Sequence, residues 1–115
     1  MRSLRVLADV LAIVVFVAIG RNTHDHGVSV AGLVSTMWPF VVGLFVAWSA
    51  TLVRHRLGAS LRDGVVIAVI TVTVGMALRV VAGQGTAFAF IVVALLFLGA
   101  FMGGWRLAIL KIHRR

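Results

Sequence analysis

Three ionisable side chains interrupt otherwise apolar stretches of this sequence: Asp9, Arg79 and Arg106. Placing such a group in a bilayer costs about 2.5–3.5 kcal/mol on insertion scales, so each is expected to face a partner, a cavity or an interface. Asp9 admits two readings. In the first it pairs with Arg106 or Arg5 and holds helices together. In the second it is a proton-relay carboxylate, because burial raises a carboxyl pKa and lets the group cycle. Arg79 continues a stripe that runs through Thr71 and Gly75, and it is soon followed by a turn, Gly83-Gln84-Gly85-Thr86. That turn would aim backbone N–H groups and the positive end of a helix at the same region. Together with Arg21 and His24, the residues Arg79, Gln84 and Thr86 make a candidate basic pocket for an anion or for the acidic head of a lipid or substrate. Thr71 and Gly75 would then line the next turn inward, with Asp9 near the exit. The structural alternative is that Arg79 pairs with Asp25 or caps carbonyls. His24-Asp25-His26 reads as a solvated loop with titrating histidines, since two imidazoles and one carboxylate are a weak metal signal.

The chemistry that is missing narrows the field further. The chain has no cysteine and no tyrosine, and its three acidic residues are all aspartate. Disulfides, thiolate metal sites and cysteine nucleophiles are excluded. No nucleophile elbow, phosphate loop or HExxH is present, and Gly83-Gln84-Gly85-Thr86 is too short for a nucleotide loop. The expectation is a non-enzyme without metal, cofactor or catalytic residue. The composition agrees: 62% of the 115 residues are hydrophobic and 12% charged, with mean hydropathy +1.14. Such a chain exposes too little polar surface for a soluble enzyme and is too apolar for disorder. A net charge of +8 does not point to nucleic acid, because the basic residues lie between apolar runs and not on a polar face.

Four apolar runs must position these groups. A helix needs about 20 apolar residues to cross the hydrocarbon core, and the runs fall at residues 4–20, 30–53, 64–82 and 86–110. Open sheets are excluded in lipid, and the lack of alternation excludes a barrel. The fold expected is all-α, an integral membrane four-helix bundle of one domain, antiparallel and up-down because its connectors are short. With the N-terminus inside, Arg2, Arg5, Arg54, Arg56, Arg62, Arg106, Lys111, Arg114 and Arg115 lie on the inner side, and Arg21 and Arg79 on the outer. The positive-inside rule therefore places both termini in the cytoplasm, in a cell membrane. His55 and His113 fall among the inner basic residues, a charge cluster suited to anionic lipid. A cleaved signal peptide ending at Ala18-Ile19-Gly20 is the less favoured alternative, because Asp9 breaks its apolar stretch. Pro39 either kinks the second helix or begins it; one kinked helix is preferred, since starting at Pro39 leaves too short a span.

Small residues recur at helical spacing. Gly32, Thr36, Gly43, Ala47 and Ala50 share one face of the second span. Gly64, Ala68, Thr71, Gly75 and Arg79 do so in the third, while Gly99 and Gly103 form GxxxG in the fourth. Such stripes let helices approach closely, so Gly43, Gly75, Gly99 and Gly103 are expected at packing seams.

Particular segments also resemble a known family. Leu7-Ala8-Asp9-Val10-Leu11 leading to Gly20-Arg21 and His24, Trp38-Pro39-Phe40, and Gly75-Met76-Ala77-Leu78-Arg79 running into Gly83-Gln84-Gly85-Thr86 are similar to the short membrane proteins grouped as domain of unknown function 3054. The resemblance spans roughly Leu7 to Trp105. It implies four membrane spans and carries no activity, cofactor or partner. Two functions remain open, the first of them preferred. One is an oligomeric channel or carrier for an anion or small acidic solute. The other is a non-catalytic accessory or scaffold subunit of a larger membrane complex. The partners expected are membrane lipid, further copies of the chain or a membrane complex, and no nucleic acid.

Overall fold

In a bilayer no water satisfies the backbone, so an apolar chain rich in valine, isoleucine and phenylalanine still coils into helices. The computed structural model describes residues 2–23, 30–83 and 88–113, which form four helices: α1 (Arg2–Thr23), α2 (Val30–Val53), α3 (Leu61–Val81) and α4 (Phe88–His113). All four are long and apolar enough to cross a membrane. Their outward faces carry leucine, valine and phenylalanine, among them Leu7, Phe45, Val65 and Leu96, as expected of helices whose solvent is lipid.

The helix ends differ from the expected spans in informative ways. α3 starts three residues before Gly64 because Ser60 caps it: the Ser60 hydroxyl accepts the Asp63 backbone N–H at 3.0 Å. Asp63 adds a negative charge in the first turn, where the helix dipole favours it. The connector expected over Arg54–Asp63 therefore shrinks to residues 54–60. α2 ends where His55 adopts a left-handed φ of 59°, with the Arg56 N–H donating to the Thr51 carbonyl at 3.0 Å. α4 runs to His113, beyond the expected end at Leu110. α2 is one helix that continues through Pro39, whose side chain is fully buried.

Each helix packs on its chain neighbour, and α1 also packs on α4, so four contacts close a ring. Four phenylalanines meet in the middle. The Phe16 ring lies 5.8 Å from Phe40, 5.7 Å from Phe90 and 5.5 Å from Phe97, centroid to centroid. Edge-to-face and offset pairs of this kind add to the apolar burial.

The seams depend on particular glycines. A Cβ on Gly43 would lie 2.5 Å from the Thr71 carbonyl oxygen, and one on Gly75 would lie 2.7 Å from Phe40 Cδ1. α2 and α3 thus touch backbone to backbone. Gly103 meets Leu61 Cδ1 at 3.1 Å by the same measure, whereas the Cβ direction of Gly99 is open to 4 Å. Within this chain, then, only Gly103 of the GxxxG meets a neighbouring helix: the two glycines share a face of α4, but no atom of another helix comes within 4 Å of a Cβ at Gly99. The contrast gives a prediction. Gly43→Ala should destabilise the purified protein by about 1–3 kcal/mol, because a backbone atom cannot step aside. Gly99→Ala should be neutral or slightly stabilising. Reversible unfolding in mixed micelles checks both.

Candidate functional site

Asp9, Arg106, Asp63, Arg56 and Arg5 gather at one end of the bundle. Asp9 and Arg106 are both fully buried and form a two-pronged ion pair: Arg106 Nη1 donates to Asp9 Oδ1 at 2.9 Å and Nη2 donates to Oδ2 at 2.8 Å. Two indoles complete the carboxylate. Trp48 Nε1 donates to Oδ2 at 2.9 Å from α2, and Trp105 Nε1 donates to Oδ1 at 3.0 Å from α4. A carboxylate offers about four acceptor positions, and here all are taken.

The arginine is held as firmly as the acid. Its Nε donates to the Gly58 carbonyl at 2.8 Å, and Nη1 also donates to the Met102 carbonyl at 3.0 Å. The guanidinium carbon sits 4.3 Å from the Trp105 ring centroid, a cation–π contact. Space for the arginine stem comes from Gly64, where a Cβ would stand 2.7 Å from Arg106 Cδ and 3.0 Å from the Met102 carbonyl. Bidentate arginine–carboxylate geometry is the strongest form of such a pair, and the extra donors offset its desolvation.

The network extends into the α2–α3 connector through Gly58. Its carbonyl receives Arg106, and its N–H donates to Asp63 Oδ2 at 3.1 Å. Asp63 in turn is ion-paired with Arg56, and Arg5 Nη1 donates to the Leu57 carbonyl at 3.0 Å. Gly58 has φ +73°, and a Cβ there would lie 2.3 Å from the Trp48 ring. Glycine is required on both counts. The connector is thereby folded against the bundle end.

Of the sequence candidates, Asp9 and Arg106 are brought together, whereas Arg5 goes to the connector backbone and not to Asp9. Arg79 stands at the opposite end of α3, roughly 22 Å from Gly64 at 1.5 Å per residue. It is half-buried, with its guanidinium carbon 4.7 Å from the centroid of Phe90 on α4, so it is sheltered by a neighbouring helix. Thr71 and Gly75 lie buried in the α2–α3 seam, and the Thr71 hydroxyl has no hydrogen-bond partner. His24, Gln84 and Thr86 lie outside the described residues, as do Asp25, His26 and the side chain of Arg21. No cluster of histidine, aspartate or glutamate able to hold a metal occurs among the described residues.

Sequence reasoning missed Trp48, Trp105, Gly58 and the Arg56–Asp63 pair. Two signals were present. Ser60-Leu61-Arg62-Asp63 has the spacing of a capping box with aspartate in its last place. Trp105 precedes Arg106 directly, which puts an indole donor beside any acid that the arginine binds.

The family model described as Protein of unknown function (DUF3054) matches residues 6–109, and the chain belongs to that family. No curated protein and no solved structure matches it.

Proposed function

We propose that this member of the DUF3054 family is a non-catalytic membrane module that acts as an accessory or scaffold subunit of a larger membrane assembly. The observation that carries this reading is the self-sufficiency of the buried charge. Asp9 and Arg106 satisfy each other with help from Trp48, Trp105, Met102 and Gly58, which leaves them no free position for a passing solute. Beyond this pair, towards the other end of the bundle, the rings of Phe16, Phe40, Phe90 and Phe97 pack against one another between the helices. With this buried ion pair satisfied, the lipid-facing surface is left for recognition.

The helices alternate up and down, with both termini on the cytoplasmic side of a cell membrane. Residue pairings support the alternation. Asp9 meets Trp48 whereas Phe16 meets Phe40, and Gly64 meets Arg106 whereas Arg79 meets Phe90. Numbers rise on one helix as they fall on the next. The excess of basic residues at the Asp9–Arg106 end supports the orientation.

Purification in mild detergent tests the reading. The full chain should retain a stoichiometric partner or a second copy. Gly99→Leu, on an open face of α4, should lose that partner without lowering thermal stability. A chain that runs as a lone monomer across several mild detergents would contradict the proposal.

A second reading, an oligomeric carrier or channel for an anion, draws on two observations: the half-buried Arg79 and the partnerless Thr71 hydroxyl two turns before it on the same stripe. Four helices enclose little volume, so a pathway would require several copies. Liposomes containing the protein should then pass chloride or a small carboxylate, with flux lost in Arg79→Ala. Absence of flux across such a panel sinks this reading.

A further inference from the structure

We infer that the end of the bundle formed by the α2–α3 connector, the first turn of α3 and the last turns of α4 is a binding surface for acidic phospholipid headgroups. The argument begins with charge. Two of the three acids, Asp9 and Asp63, are buried and consumed by Arg106 and Arg56. The exposed side chains of Arg54, Arg62 and Lys111 therefore have no carboxylate left to pair with among the described residues. All three belong to the end marked by Gly58: Arg54 and Arg62 flank it in the chain, and Lys111 follows Arg106, which bonds the Gly58 carbonyl.

Apolar side chains stand beside these cations. Leu57 is 68% exposed, Val53 76% and Leu61 43%. A leucine held out on a polar connector among arginines gains nothing from water, but it gains from the acyl boundary just below a headgroup. Basic heads beside apolar side chains match a phosphate above a fatty chain, and match neither free phosphate nor a nucleic-acid backbone as well. The connector is also ordered before any ligand arrives. Arg5 holds the Leu57 carbonyl, Arg106 holds the Gly58 carbonyl, and Asp63 holds the Gly58 N–H. A prearranged surface of this kind loses little freedom on binding. The inference stands apart from the proposed function, since either a subunit or a carrier could bear such a surface.

Native mass spectrometry of the full chain in mild detergent tests it, with phosphatidylglycerol, phosphatidylcholine, inorganic phosphate and a short RNA oligonucleotide as separate probes. Phosphatidylglycerol should be retained and phosphatidylcholine should not. Affinity should fall roughly fivefold for each charge removed in R54Q, R62Q and K111Q, and Leu57→Ser should weaken lipid binding further. Retention in all three variants at the wild-type level overturns the inference. Equal retention of phosphatidylcholine, phosphate or RNA overturns it as well. The same thermal midpoint for wild type and variants in lipid-free detergent shows that the variants are folded.

Discussion

Asp9→Ala is expected to be the most damaging single substitution in the chain, costing about 3–5 kcal/mol, the range for breaking one side of a buried ion pair. The reason lies in what remains behind. Arg106 would keep its charge at a fully buried position, with only the Gly58 and Met102 carbonyls to receive it. The Trp48 and Trp105 N–H groups would lose their common acceptor. Each orphaned donor adds roughly 1–3 kcal/mol if no water reaches it. The helices affected are α1, α2 and α4 together, so the loss should appear as cooperative unfolding and not as local fraying. Titration of the purified protein with a denaturing detergent, followed by tryptophan fluorescence, reads it directly, since two of the reporting indoles contact the deleted group. Asp9→Asn should fall between wild type and Asp9→Ala, because an amide keeps one acceptor oxygen but presents N–H groups where Arg106 needs oxygen.

Gly58→Ala is the second large effect. The added methyl would enter the Trp48 ring at 2.3 Å while the backbone holds φ at +73°. A non-glycine residue in the left-handed region costs on the order of 1–3 kcal/mol, and overpacking a tight site adds about 1–3 kcal/mol more. Relief by moving the loop would pull the Gly58 carbonyl from Arg106 and its N–H from Asp63. The substitution should thus lower stability by at least about 2 kcal/mol and change the Trp48 emission, and a small polar residue in place of Leu57 should not. A wild-type emission spectrum and wild-type stability in Gly58→Ala would show that the connector does not pack as described.

The four helices were legible because twenty apolar residues in lipid have few other options. The Asp9–Arg106 contact was legible as one of two pairings, because both residues sit about the same distance inside one end of their spans. The choice between Arg106 and Arg5 was not legible. It turns on Gly64, which opens room for the Arg106 stem, and on the Leu57 carbonyl, which takes Arg5 instead. The indole donors were hidden for a related reason. Tryptophan in a span reads as an interfacial anchor, and only the tertiary arrangement turns Trp48 inward to an acid 39 residues away. GxxxG misled at Gly99 because a local spacing says which residues share a helix face and not which helix, if any, covers it. In the sequence the connector reads only as a short, basic link between spans. Its glycine at position 58 and the Ser60–Asp63 capping spacing were the signs of a folded turn.

The central claim is that Asp9 and Arg106 act as one unit that locks the end of the bundle. A double-mutant cycle on Asp9→Asn and Arg106→Gln, with unfolding free energies measured in the same mixed micelles, tests it most directly. Residues in one hydrogen-bonded network couple by about 0.5–3 kcal/mol, and a bidentate pair excluded from water belongs at the upper end of that range. A coupling of roughly 2 kcal/mol or more, with the double variant far less damaged than the two losses summed, is the predicted result. Strictly additive losses would contradict the account, because they would mean that the carboxylate and the guanidinium stabilise the fold independently of each other.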